Sequence, residues 1–82
     1  MFDVDYFIKK FEAIPDEDWT TGQFENDIGQ RCALGHCTFI ESASLKDILL
    51  DEVAEINDGT DGQYQQETPK SRILAALKDI KE

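Results

Sequence analysis

Eighty-two residues with 40% hydrophobic and 32% charged content fit one small folded domain and leave no room for two. Eighteen acids against eight Lys and Arg set a formal net charge of −10, which excludes the basic face a direct nucleic-acid binder needs. No apolar run approaches the roughly 18 residues of a membrane helix, and the acidic start Met-Phe-Asp-Val-Asp lacks a signal peptide's basic region. The expectation is therefore a cytoplasmic protein with no membrane partner.

The first predicted element is a helix capped by Asp3. Val4, Phe7, Ile8 and Phe11 fall at i, i+3, i+4 and i+7 and form one apolar stripe. Lys9 and Lys10 near its end suit the helix macrodipole, and Pro15 stops it, because the residue before proline avoids the α region. Residues 15–31 are rich in turn formers, with Trp19, Phe24 and Ile28 as apolar anchors. A short β-hairpin with strands near 20–25 and 30–33 is the regular structure this stretch could hold.

Cys32-Ala-Leu-Gly-His-Cys-Thr-Phe-Ile40 keeps helical spacing at Ala33, Cys37 and Ile40 and is expected to form a short helix. Gly35 inside it costs about 1 kcal/mol relative to alanine, which close backbone contact with a neighbour would explain. A longer helix follows, with Ser44 as cap and Asp47 completing a capping pattern. Leu45, Ile48, Leu49, Val53 and Ile56 supply its buried stripe, and Asn57-Asp58-Gly59 ends it. Residues 60–67 read as a polar loop. Thr68-Pro69 opens the last helix, whose inner face is Ile73, Leu74, Leu77 and Ile80. The expected fold is mainly α: a single domain over residues 1–82 of three to four helices, with room for the hairpin near residues 20–33.

Trp19-x-x-Gly22, Cys32-Ala-Leu-Gly35, Asn57-Asp58-Gly59 and Thr68-Pro-x-x-x-Ile-Leu-Ala-Ala-Leu77 together resemble a set of small uncharacterised proteins of bacteria and their phages. The resemblance spans roughly residues 5–80. It implies an intracellular protein of a kind that phages carry, and it brings no activity with it.

Three groups of residues are candidates for function. Cys32, His36 and Cys37 are the only thiol and imidazole ligands, one short of a structural zinc set, so neither a metal nor another cofactor is expected. Free thiols fit a reducing compartment. A cysteine nucleophile would need a base and a group to orient it. Cys32, His36 and Asp58 could supply these only if residues 32–36 are helical. Trp19, Cys32, His36, Asn57 and Asp58 could instead line a small-ligand pocket, an aromatic wall with polar groups.

The acidic surface is the third candidate. Residues 1–30 hold eight acids against Lys9 and Lys10, and residues 31–58 hold six against Arg31 and Lys46. The remaining segment is neutral. Asp16, Glu17 and Asp18 form a dense cluster, and Asp47, Asp51 and Glu55 at i, i+4 and i+8 would form a ridge along a continuous helix. Such a surface is either a solvated face or a docking site for a basic partner. The leading expectation is a non-enzymatic acidic interaction module that binds a basic surface of another protein. Its sharpest form is an inhibitor of a host nucleic-acid defence enzyme, of the anti-CRISPR or DNA-mimic kind. The alternative is the small-ligand or metal-binding domain around Trp19. A homodimer would suit a domain this small.

Overall fold

The computed structural model describes residues 2–81. Helix α1 spans Val4–Glu12, and the Asp3 carboxylate accepts a hydrogen bond from the Tyr6 N–H at 2.9 Å. The expected cap and stripe are both present: Phe7, Ile8 and Phe11 are buried. After Pro15, Asp16–Asp18 make one 3-10 turn that delivers Trp19 into the core.

The hairpin is reduced to two isolated bridges, one parallel between Trp19 and Arg31 and one antiparallel between Glu25 and Arg31. Arg31 bridges a partner on each side, but neither bridge extends into a ladder. Asn26 closes the tip, where its side-chain oxygen accepts from the N–H of Ile28 at 3.1 Å and of Gln30 at 2.9 Å. Local side-chain bonds of this kind compete with strand pairing.

Residues 33–36 form turns, not the short helix expected over 32–40. The reason is visible at Gly35. A Cβ there would stand 2.1 Å from the Phe24 carbonyl oxygen, so the backbones touch where a helix would hold them apart. Close backbone contact is thus the role of this glycine. The second helix, α2, spans Phe39–Ile48 and starts at Thr38. Thr38 and Glu41 form a reciprocal capping box, and Ser44 and Asp47 lie inside the helix instead of opening one.

The long third helix expected to run to Asn57 is also corrected. It breaks after Ile48, and α3 spans only Val53–Asp58. Leu50 and Asp51 both take positive φ, 55° and 64°, and the Asp51 N–H reaches back to the Lys46 carbonyl at 2.8 Å. That six-residue closure is a Schellman-type helix end with leucine in the position glycine normally fills. The break turns α3 so that it packs against α4, which spans Pro69–Lys81. The Ser71 N–H donates to the Thr68 hydroxyl at 3.1 Å, the expected cap.

Helix α4 packs on both α1 and α3 and completes a mainly α domain. Phe7, Phe11, Trp19, Leu45, Val53 and Ile73 lie at the centre of its core. Four expected apolar positions are exposed instead of buried: Phe24 and Ile28, given as anchors of the 15–31 segment, Ile40, and Ile80 at the end of α4, which is 48% exposed. Among the described residues no helix is long and apolar enough to cross a membrane.

Candidate functional site

The end of α3 is the polar centre of the molecule. Asn57 is 1% exposed. Its side-chain oxygen accepts from the Ala33 N–H at 3.0 Å, and its amide donates to the Thr20 carbonyl at 2.9 Å and to Asp58 Oδ1 at 3.0 Å. The same Asp58 oxygen accepts from the Gly22 N–H at 3.0 Å. Residues 57 and 58 thereby staple the irregular 20–33 segment to the helical layer, giving its loose backbone groups the partners a ladder would have supplied.

Arg72, which sequence reasoning missed, closes α3 from the other side. Its guanidinium is buried and donates to the carbonyls of Ile56 at 3.1 Å, Asn57 at 2.7 Å and Gln66 at 2.8 Å. A cation there also meets the negative end of the helix. A Cβ on Gly59 would come within 3.2 Å of the guanidinium, so this glycine leaves space for it as well as taking φ of 77°. The sequence held a signal for this: Arg72 falls on the buried stripe of α4 beside Ile73 and Ala76.

Of the five residues proposed for a pocket, Trp19 and Asn57 are buried in the core. Trp19 lies edge-on to Phe11 at 5.3 Å and beside the His36 ring at 5.0 Å. The His36 Nε2 faces the Asp18 carbonyl at 3.1 Å, so that nitrogen carries the proton. Burial pulls the His36 pKa below its ordinary value. Cys32 and Asp58 do share a surface, a groove of about 190 Å³ with Phe24, Leu34 and Ala54 on its walls.

The thiols are placed for packing. Cys32 accepts from the Gly35 N–H at 3.4 Å, and Cys37 donates to the Ala33 carbonyl at 3.3 Å. Burial pushes the Cys37 pKa up to about 12, the opposite of what an attacking thiolate requires. Both cysteines are free. Among the described residues no three His, Cys, Asp or Glu side chains come together as ligands for a metal ion.

Glu41 is the second residue that sequence reasoning missed. This buried carboxylate accepts from the Thr38 N–H at 2.8 Å and from the Tyr6 hydroxyl, and Lys10 stands 3.4 Å away. Those donors hold its pKa down to about 2. The Thr38-x-x-Glu41 capping pattern was its signal.

The six carboxylates proposed for partner binding are all exposed. Asp16, Glu17 and Asp18 stay together on the 3-10 turn. Asp47, Asp51 and Glu55 do not form one helical ridge, because they lie respectively on α2, in the break and on α3. Among the described residues none of the six makes an ion pair, whereas Glu12, Glu25, Glu41 and Asp5 do.

Two apolar openings interrupt this surface. One joins the groove over Cys32 to Phe39, which is 90% exposed, with Phe24 and Leu34 common to both parts and Lys46 on the wall. The other lies at the α2–α3 break, between Leu50 and Ile80. No family model matches this chain, and no curated protein or solved structure matches it either.

Proposed function

We propose that this chain is a non-enzymatic binding protein whose carboxylate surface docks on a basic surface of another protein. The observation that carries this reading is the disposition of charge. Lys10, Arg31, Lys78 and Lys81 pair with carboxylates, Lys70 bonds the Glu12 carbonyl, and Arg72 caps α3. The basic residues are thus largely consumed by the fold, while Asp16, Glu17, Asp18, Asp47, Asp51 and Glu55 remain exposed and uncompensated among the described residues. A net charge of −10 arranged in this way creates a field that steers a basic partner and rejects acidic ones. It speeds encounter and selects the partner more than it adds affinity.

The absence of enzymatic activity in this reading is supported by the state of the thiols. Cys37 is held protonated, and its neighbour His36 has one nitrogen bonded to a backbone carbonyl. The sharpest form of the proposal is a cytoplasmic inhibitor of a nucleic-acid defence enzyme, with carboxylates standing where phosphates would bind. That form leans on the resemblance to small phage and bacterial proteins.

Affinity capture from bacterial lysate at low and high salt tests the reading, with the triple variant Asp47→Lys, Asp51→Lys, Glu55→Lys beside the native protein. A basic partner held by the native chain, and lost both with salt and in the variant, is the expected result. Capture that is indifferent to salt and to charge reversal would overturn it.

A further inference from the structure

We infer that the strained turn between α2 and α3 presents Leu50 as the apolar anchor of the docking site, and that its occupant is a basic partner segment carrying one large apolar side chain. This inference rests on the proposed docking function and specifies the chemistry of the partner.

The starting point is a residue that the fold alone does not explain. Leu50 sits at φ 55°, in the left-handed region where a Cβ crowds the following carbonyl. Glycine would close the same helix end without that cost, and asparagine with less of it. Burial does not offset it, because Leu50 is 79% exposed. Backbone strain held in place by an exposed apolar residue points from the outlier to a function for the side chain.

The surroundings define that function. Leu50 edges a cavity of about 190 Å³ walled by Ile48, Leu49, Ile56, Ala76 and the half-exposed Ile80. An apolar cavity of ~150 Å³ is large enough to hold benzene, so this one takes a leucine, methionine or phenylalanine side chain. The polar groups at the opening are Glu52, Gln63 and Tyr64, and the Tyr64 hydroxyl donates to Asp79 at 2.9 Å. No basic side chain lines the cavity among the described residues. Asp47 and Asp51 flank Leu50 along the chain and, like Glu52, form no ion pair among the described residues.

An apolar anchor with Glu52 on its wall, and with Asp47 and Asp51 close to Leu50 along the chain, favours lysine and arginine around the inserted side chain. It has the layout of an interface hot spot, in which an apolar centre is surrounded by a polar rim, here Glu52, Gln63 and Tyr64. The groove beside Phe24 and Phe39 lacks this selectivity, because Lys46 lies on its wall.

Fluorescence anisotropy of the full chain against two labelled peptides tests the inference. One peptide is an amphipathic Lys/Leu helix, and the other has the same length and charge with serine in place of leucine. The variant is Leu50→Asn, chosen because asparagine accepts positive φ. The Lys/Leu peptide is expected to bind the native chain at least about tenfold more tightly than the Lys/Ser peptide. Leu50→Asn is expected to erase that difference while raising the melting temperature by about 5 °C. Loss of binding together with a gain in stability is a signature that a packing residue cannot produce.

Equal binding of both peptides to both proteins would overturn the anchor and leave carboxylate docking intact. Binding of neither peptide would overturn both readings. A lower melting temperature in Leu50→Asn would make Leu50 a packing residue and remove the anchor. A dimer in sedimentation that dissociates in the variant would make a second copy the occupant, against the basic partner inferred here.

Discussion

Replacing Asn57 by alanine tests how the irregular segment is held. The side chain is buried and makes bonds to the Ala33 N–H, the Thr20 carbonyl and Asp58. Ala33 is 0% exposed, so its N–H would be left with no acceptor and no route to water. A buried donor stranded in this way costs about 1–3 kcal/mol. The half-buried Thr20 carbonyl recovers part of its loss from solvent, so the total is about 2–4 kcal/mol. A domain of this size shifts its melting temperature by about 4–8 °C for each kcal/mol, which gives a fall of about 10–25 °C. Urea unfolding followed by far-UV circular dichroism measures the free energy. The fluorescence of Trp19, the single tryptophan, reports whether the 20–33 segment loosens first. A loss below about 0.5 kcal/mol, the scale of a neutral surface change, would refute the staple.

Two further outcomes follow from the buried ionisable groups. The Glu41 pKa lies at about 2 against an ordinary 4.5, so its contribution is complete above pH 4.5 and disappears as pH falls towards 2. Urea melts across that window should show the loss in the native chain and a much flatter profile in Glu41→Gln. With its thiol pushed up to about 12, Cys37 carries almost no thiolate at pH 8. A disulfide reagent should therefore label the folded chain at least about a hundredfold more slowly than the urea-unfolded one, and equal rates would contradict the burial.

Elements whose signals are local were legible in the sequence. The stripe of α1, its Asp3 cap and the Thr68-Pro69 start of α4 all appear as expected, because capping and apolar spacing act within one or two turns. The break after Ile48 was not legible. Leu45, Leu49, Val53 and Ile56 keep helical spacing straight across it, so periodicity cannot mark the two residues of positive φ between them. Residues 32–37 failed for a related reason. Their conformation is set by Gly35 lying against Phe24 and by the Ala33 N–H bonding to Asn57, both contacts between distant parts of the chain.

The candidate site divides along the same line. The uncompensated acids could be counted from composition, but their arrangement as one ridge assumed a helix that is interrupted. Asn57 and Asp58 were singled out for a small-ligand pocket, and the structure uses their polar atoms to hold the backbone of residues 20–33. Arg72 escaped notice because its main acceptors, the carbonyls of Ile56 and Asn57, lie far away in sequence, whereas the capping pattern of Glu41 was local and was passed over in favour of Ser44. Leu50 escaped notice because leucine in a helical stripe gives no hint of positive φ.

The salt dependence of affinity for the captured partner tests the central claim most directly. It is measured for the native chain, for the reversal of Asp16, Glu17 and Asp18, and for the reversal of Asp47, Asp51 and Glu55. Exposed carboxylates that dock on a basic surface predict a steep loss of affinity with salt in the native chain. The slope should become shallower in at least one reversed variant, with unfolding curves unchanged. The same slope in all three proteins would contradict the account and reduce the acidic surface to a solvated face.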